Sequence, residues 1–87
     1  MPTYKLIIES CHSCPAINAT FEHIPESRLR RAFDFAIRTF RQVEAFAEET
    51  GEVIFNHYVD MDWFEPVYNE GEALDILVSI CYNPENE

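Results

Sequence analysis

The stretch PESRLRRAFDFAIRTFRQVEAFAEET, residues 25–50, changes the hydrophobic period of the chain. On either side of it apolar residues tend to recur at every second position. Within it they recur at the three- and four-residue spacing of a helix face. Leu29, Ala32, Phe33, Ala36, Ile37, Phe40, Val43 and Ala47 form one wide apolar stripe, and Arg30, Arg31, Asp34, Arg38 and Arg41 fall opposite it. Asp34 and Arg38 stand at i,i+4 spacing. Pro25 is tolerated in a first turn, Glu26 complements the helix dipole there, and Gly51 stands where a C′ glycine belongs. The expectation is one long helix, and its stripe needs a sheet to cover it.

The flanking segments supply strands. TYKLIIES alternates Tyr4, Leu6 and Ile8 against Thr3, Lys5 and Glu9, and AINATFEHI sets Ile17, Ala19 and Phe21 against Asn18, Thr20 and Glu22. EVIFNHYVDMDW points Val53, Phe55, His57, Val59, Met61 and Trp63 one way and Glu52, Ile54, Asn56, Tyr58, Asp60 and Asp62 the other. ALDILVSICY reads as a last strand, with Leu74, Ile76, Val78, Ile80 and Tyr82 on one face and Ala73, Asp75, Leu77, Ser79 and Cys81 on the other. The predicted fold is α+β: a two-layer sandwich with one long helix packed on a three- or four-stranded, mainly antiparallel sheet. Its outer face would carry Ile7, Ile54, Tyr58, Leu77 and Cys81, a surface suited to a second copy of the chain.

Size and composition bound the remainder. The 87 residues make a single domain, 1–87, and 47% apolar residues with 14% aromatics are enough for a core. Three cysteines are an odd number for a disulfide-stapled scaffold. The N-terminus lacks a basic region followed by an apolar segment and a cleavage site, and no run approaches a membrane span. A cytoplasmic protein is expected.

Charge is distributed unevenly. Residues 1–41 hold all six basic residues and four acids, whereas residues 42–87 hold twelve acids and no Lys or Arg. Direct binding of nucleic acid or of an anionic membrane by the second half is disfavoured, because phosphate contacts need cations.

Candidate chemistry reduces to a few stretches. CHSCP places Cys11 and Cys14 at the spacing of a zinc pair or redox dithiol. A closed zinc site needs four ligands, and no second pair at ligand spacing is present. Thiol redox chemistry needs the first thiolate at a helix N-terminus, yet no helical period begins before Pro25. His12 lies in that turn, and His23 and His57 alternate inward as core histidines. With only Gly51 and Gly71 there is no glycine-rich phosphate loop. No enzyme, metal or cofactor is expected.

The stretch YVDMDWFEPVYNEGEALD remains. Asp60 and Asp62 share one strand face about 6.8 Å apart, and Glu65, Glu70, Glu72 and Asp75 continue the charge. Tyr58, Phe64 and Tyr68 interleave aromatic surface. The acids lack the EF-hand pattern, with no glycine at its sixth place. Carboxylates on the scale of successive phosphates suit a groove lined with Lys and Arg, and the aromatic groups supply contact area. In size, acidity and absence of catalytic machinery the chain resembles the small phage-encoded inhibitors of bacterial nucleic-acid-binding defence proteins, anti-CRISPR proteins among them. The resemblance is one of physical type. It implies a stoichiometric inhibitor that docks on a basic surface of a nucleic-acid-binding protein and mimics or blocks nucleic acid. The alternatives are a homodimeric structural or regulatory adaptor and a small CxxC thiol oxidoreductase.

Overall fold

A computed structural model describes residues 2–10, 17–58 and 69–83. The order of elements is β1 (Thr3–Ser10), β2 (Ile17–Pro25), α1 (Glu26–Ala36), β3 (Gln42–Ala47), β4 (Val53–Tyr58) and α2 (Glu70–Tyr82). The strands form one four-stranded sheet in the order β2-β1-β3-β4, with every neighbouring pair antiparallel. β2 and β3 therefore run parallel on either side of β1, and α1 is the crossover between them. Both helices lie on one face, α1 over β1 and β3 and α2 over β2. The α+β class and the antiparallel sheet agree with the sequence reading; the single long helix does not.

The strand patterns of the first segment translate directly. Leu6 and Ile8 of β1 are fully buried beneath the helices, and Thr20 and Ala19 of β2 pair with Ile7 and Ile8. Between the Leu6–Phe21 and Tyr4–Ile24 pairs, Glu22 and His23 together oppose the single residue Lys5. This β-bulge resets the alternation, so Phe21 and Ile24 both reach the core although three positions separate them. His23 takes up the distortion with φ of 59°, a left-handed conformation uncommon outside glycine.

The predicted helix stops at Ala36. Leu29, Ala32, Phe33 and Ala36 are buried as the stripe requires. The chain then turns, with Thr39 N–H and Phe40 N–H both donating to the Ala36 carbonyl, and QVEAFA enters the sheet as β3. Val43 and Ala47 fit a period of two as well as a period of 3.6, so these two positions do not choose between helix and strand. Pairing chooses: as a strand, this segment satisfies backbone groups of β1 on one side and β4 on the other. Gly51, expected at a helix C′ position, instead carries φ of 73° in the β3–β4 loop, where its N–H donates to the Ala47 carbonyl.

ALDILVSICY is a helix rather than a strand. Asn69 caps it, its side chain accepting from Gly71 N–H at 2.9 Å and Glu72 N–H at 3.4 Å. Ala73, Leu77, Ile80 and Cys81 recur at helical spacing and are buried, while Val78 is 48% exposed. Leu77 and Cys81 therefore belong to the core and not to an outer sheet face. A buried cation joins the two helices: Arg28, 7% exposed, donates to the Ile80 carbonyl at 3.3 Å and to the Asn83 carbonyl at 2.6 Å. Its guanidinium meets the negative end of the α2 dipole. Thr39 Oγ1 is buried with no hydrogen-bond partner among the described residues.

Candidate functional site

The nominated acidic surface starts on α2. Glu72 and Asp75 are exposed in its first turns, and neither makes an ion pair with a described cation. The placement of Glu72 also has a local cause, since a carboxylate in the first turn of a helix is stabilised by the dipole. Glu70 opens the same helix, and its side chain lies outside the described set, as do Asp60, Asp62, Phe64, Glu65 and Tyr68. Tyr58 ends β4 and is 61% exposed. Arg41 holds it, donating to the hydroxyl at 2.7 Å with the guanidinium 5.2 Å from the ring centroid.

Two of the helix arginines, Arg28 and Arg30, are engaged within the fold. Arg28 serves the α2 carbonyls, and Arg30 pairs with Asp34 at 3.2 Å and lies 5.1 Å from the Phe55 ring centroid. The Asp34 partner is thus Arg30, on the N-terminal side, and not the Arg38 that spacing equally allowed.

A second acidic group stands at the other end of α2. Tyr82, in the last turn, donates its hydroxyl to the Glu22 carbonyl at 2.5 Å. Ten residues separate Tyr82 from Glu72, about 15 Å along the helix axis. Around Glu22, the His23 N–H donates to Glu48 Oε1 at 3.0 Å, His23 Nδ1 lies 3.1 Å from the same oxygen, and His23 Nε2 is 3.9 Å from Glu22 Oε2. The Thr3 hydroxyl is the main cause that holds the Glu48 carboxyl below its ordinary value. The charge, amide and ring of His23 act in the same sense, and desolvation opposes them. Glu22 and Glu48 thus stand apart from Glu72 and Asp75 rather than beside them. His23 corrects the sequence reading: its side chain is 77% exposed, because the bulge turns it out of the alternation. No pattern in FEHIP announces that bulge. The cap on α2 does leave a signal, Asn69 followed three residues later by Glu72.

The other reactive groups are less available. Cys81 is buried and free, and burial pushes its thiol up to about 11, only partly offset by Arg28. Cys11, Cys14 and His12 lie outside the described residues. His57 is half-buried on the helix side, its ring edge-on to Phe33 at 6.5 Å between centroids, in line with its inward assignment. On the helix-free face Lys5, Ile7, Phe46, Ala47, Glu48 and Gly51 line a shallow open depression. Among the described residues, no helix is long and apolar enough to cross a membrane. Comparison with protein-family models, with curated proteins and with solved structures gave no match.

Proposed function

We propose that the protein is a non-catalytic binding module whose acidic second half docks on a cationic surface of a nucleic-acid-binding protein and blocks access to it. The observation that carries this reading is the segregation of charge. Twelve acids and no Lys or Arg occupy residues 42–87. The exposed Glu72 and Asp75 have no ion pair among the described residues, while Arg28 and Arg30 make their contacts within the fold. Tyr58, Asp60, Asp62, Phe64, Glu65, Tyr68, Glu70, Glu72 and Asp75 make up the proposed contact set. Charge of this kind steers encounter, raising association rates by about 10–10³ at low salt, and the aromatic side chains add the area that gives a complex its lifetime. Such a module acts by stoichiometric inhibition, in the manner of the phage-type, anti-CRISPR-like inhibitors, in the cytoplasm.

The test is competition: the protein is titrated against a basic nucleic-acid-binding protein carrying labelled DNA. Displacement that weakens steeply with salt, and weakens about tenfold or more in an Asp60→Asn/Asp62→Asn/Glu72→Gln/Asp75→Asn variant, supports the reading. Displacement equal at low and high salt, or unaffected by those substitutions, overturns it.

A second reading, self-association, is favoured by the edge strand β4. Its sequence VIFNHY carries no Asp, Glu, Lys or Arg, and Val53, Ile54 and Tyr58 are 47%, 39% and 61% exposed. Sedimentation of wild type against Ile54→Lys separates the two readings, since only self-association loses mass on that change.

A further inference from the structure

The β2 bulge and the β3–β4 loop bring together three side chains that the docking surface does not use. We propose that Glu22, His23 and Glu48 form a surface site for a divalent transition-metal ion of the Zn²⁺ class. One imidazole nitrogen and two carboxylates hold the ion, and water fills the remaining position. The site stands independently of the docking function.

The geometry is close to what such an ion requires. One ligand atom from each residue lies within 4.8 Å of the other two. A tetrahedral ion about 2.0–2.2 Å from each ligand sets the ligands roughly 3.3 Å apart, and His23 Nδ1 is already 3.1 Å from Glu48 Oε1. The remaining closure falls to Glu22, whose side chain is 57% exposed and has room to swing.

The set differs from an ordinary patch of surface acids in its origin and its chemistry. Neighbouring residues in a regular strand point to opposite faces; the bulge at Glu22 and His23 re-aims both toward the loop that carries Glu48. Glu48 arrives oriented, with Oε1 accepting from the His23 N–H. The imidazole decides the class of ion: nitrogen donors suit Zn²⁺, Co²⁺, Ni²⁺ or Cu²⁺, whereas Mg²⁺ and Ca²⁺ take oxygen ligands. Without an ion the same contacts describe a histidine held between two glutamates, and response to metal distinguishes the two states.

The experiment is a titration of the full-length chain with ZnCl₂, read by calorimetry and by the ¹⁵N resonances of the His23 ring. The site predicts a shift of those resonances on Zn²⁺ addition and none with MgCl₂. It predicts binding at least tenfold weaker in His23→Asn and in Glu48→Gln. Asparagine is the replacement at position 23 because it tolerates a left-handed backbone. Cys11→Ser/Cys14→Ser retains the His23 shift. The proposal is overturned if the His23 ring is unmoved at saturating Zn²⁺, if Mg²⁺ moves it equally, or if His23→Asn binds as the wild type does. The ring resonances are read on the unsubstituted chain, so that measurement stands whether or not any variant folds.

Discussion

The two helices lie on the same face of the sheet and differ little in length, 11 residues for α1 and 13 for α2, yet they follow opposite plans. α1 buries Leu29, Ala32, Phe33 and Ala36 and shows Arg30 and Arg31 to solvent, and it begins at Pro25 without a side-chain cap. α2 is apolar around most of its circumference and begins on the Asn69 cap. At its end the terminal carbonyls, left without helical partners, are met by a cation from α1. An amphipathic helix is specified largely by its own sequence, whereas α2 depends on a cap at one end and on its neighbour at the other.

The difference can be broken most severely at Arg28. Arg28→Met removes the charge-assisted bonds to Ile80 and Asn83 and leaves buried carbonyls unpaired, at a cost of about 3 kcal/mol; urea unfolding measures it. A loss below about 1 kcal/mol would make the tie between the helices incidental. Leu77→Ala, at a fully buried position, should cost about 3 kcal/mol. Val78→Ala, at a position 48% exposed, should cost no more than about 0.5 kcal/mol. This pair also tests the helix itself, because a strand through ALDILVSICY with Val78 inward would reverse the order.

Cys81 sharpens the contrast through pH. Its folded-state value, about 11, lies above the ordinary thiol value, so the unfolded chain releases the proton first. Stability is then retained below about pH 8.5 and lost as the pH rises from there toward 11. The loss should be shallower in Cys81→Ala when thermal unfolding is followed across that window. The smallest expected effect is at the other end of α2: Asn69→Ala should cost about 1 kcal/mol, and unfolding by circular dichroism is sufficient to detect it.

These positions also mark what sequence can and cannot convey. β1, the first half of β2 and the α1 stripe are legible because one face of each is buried and the other is polar, so their period is unambiguous. β3 reads as helix because Val43 and Ala47 satisfy both periods, and the deciding factor, the unpaired sides of β1 and β4, is not local. α2 reads as strand because Leu74, Ile76, Leu77, Val78, Ile80 and Cys81 are apolar on both alternating faces; only Asn69 and Glu72 signal a helix start. Of the candidate site, the acidity of the second half and the exposure of Tyr58 are legible. The Glu22–His23–Glu48 group is not, because it depends on a bulge and on a loop from a different hairpin.

The Arg28 contact has a consequence for assembly. It spans 52 residues of chain to Ile80 and 55 to Asn83, so the guanidinium waits, solvated, until the far helix arrives to enclose it. Closure of this contact is therefore a non-local pairing, of the kind that slows folding relative to contacts made between neighbours in sequence. A nascent chain lacking α2 would present an open apolar sheet flank, the natural moment for a chaperone or protease to intervene.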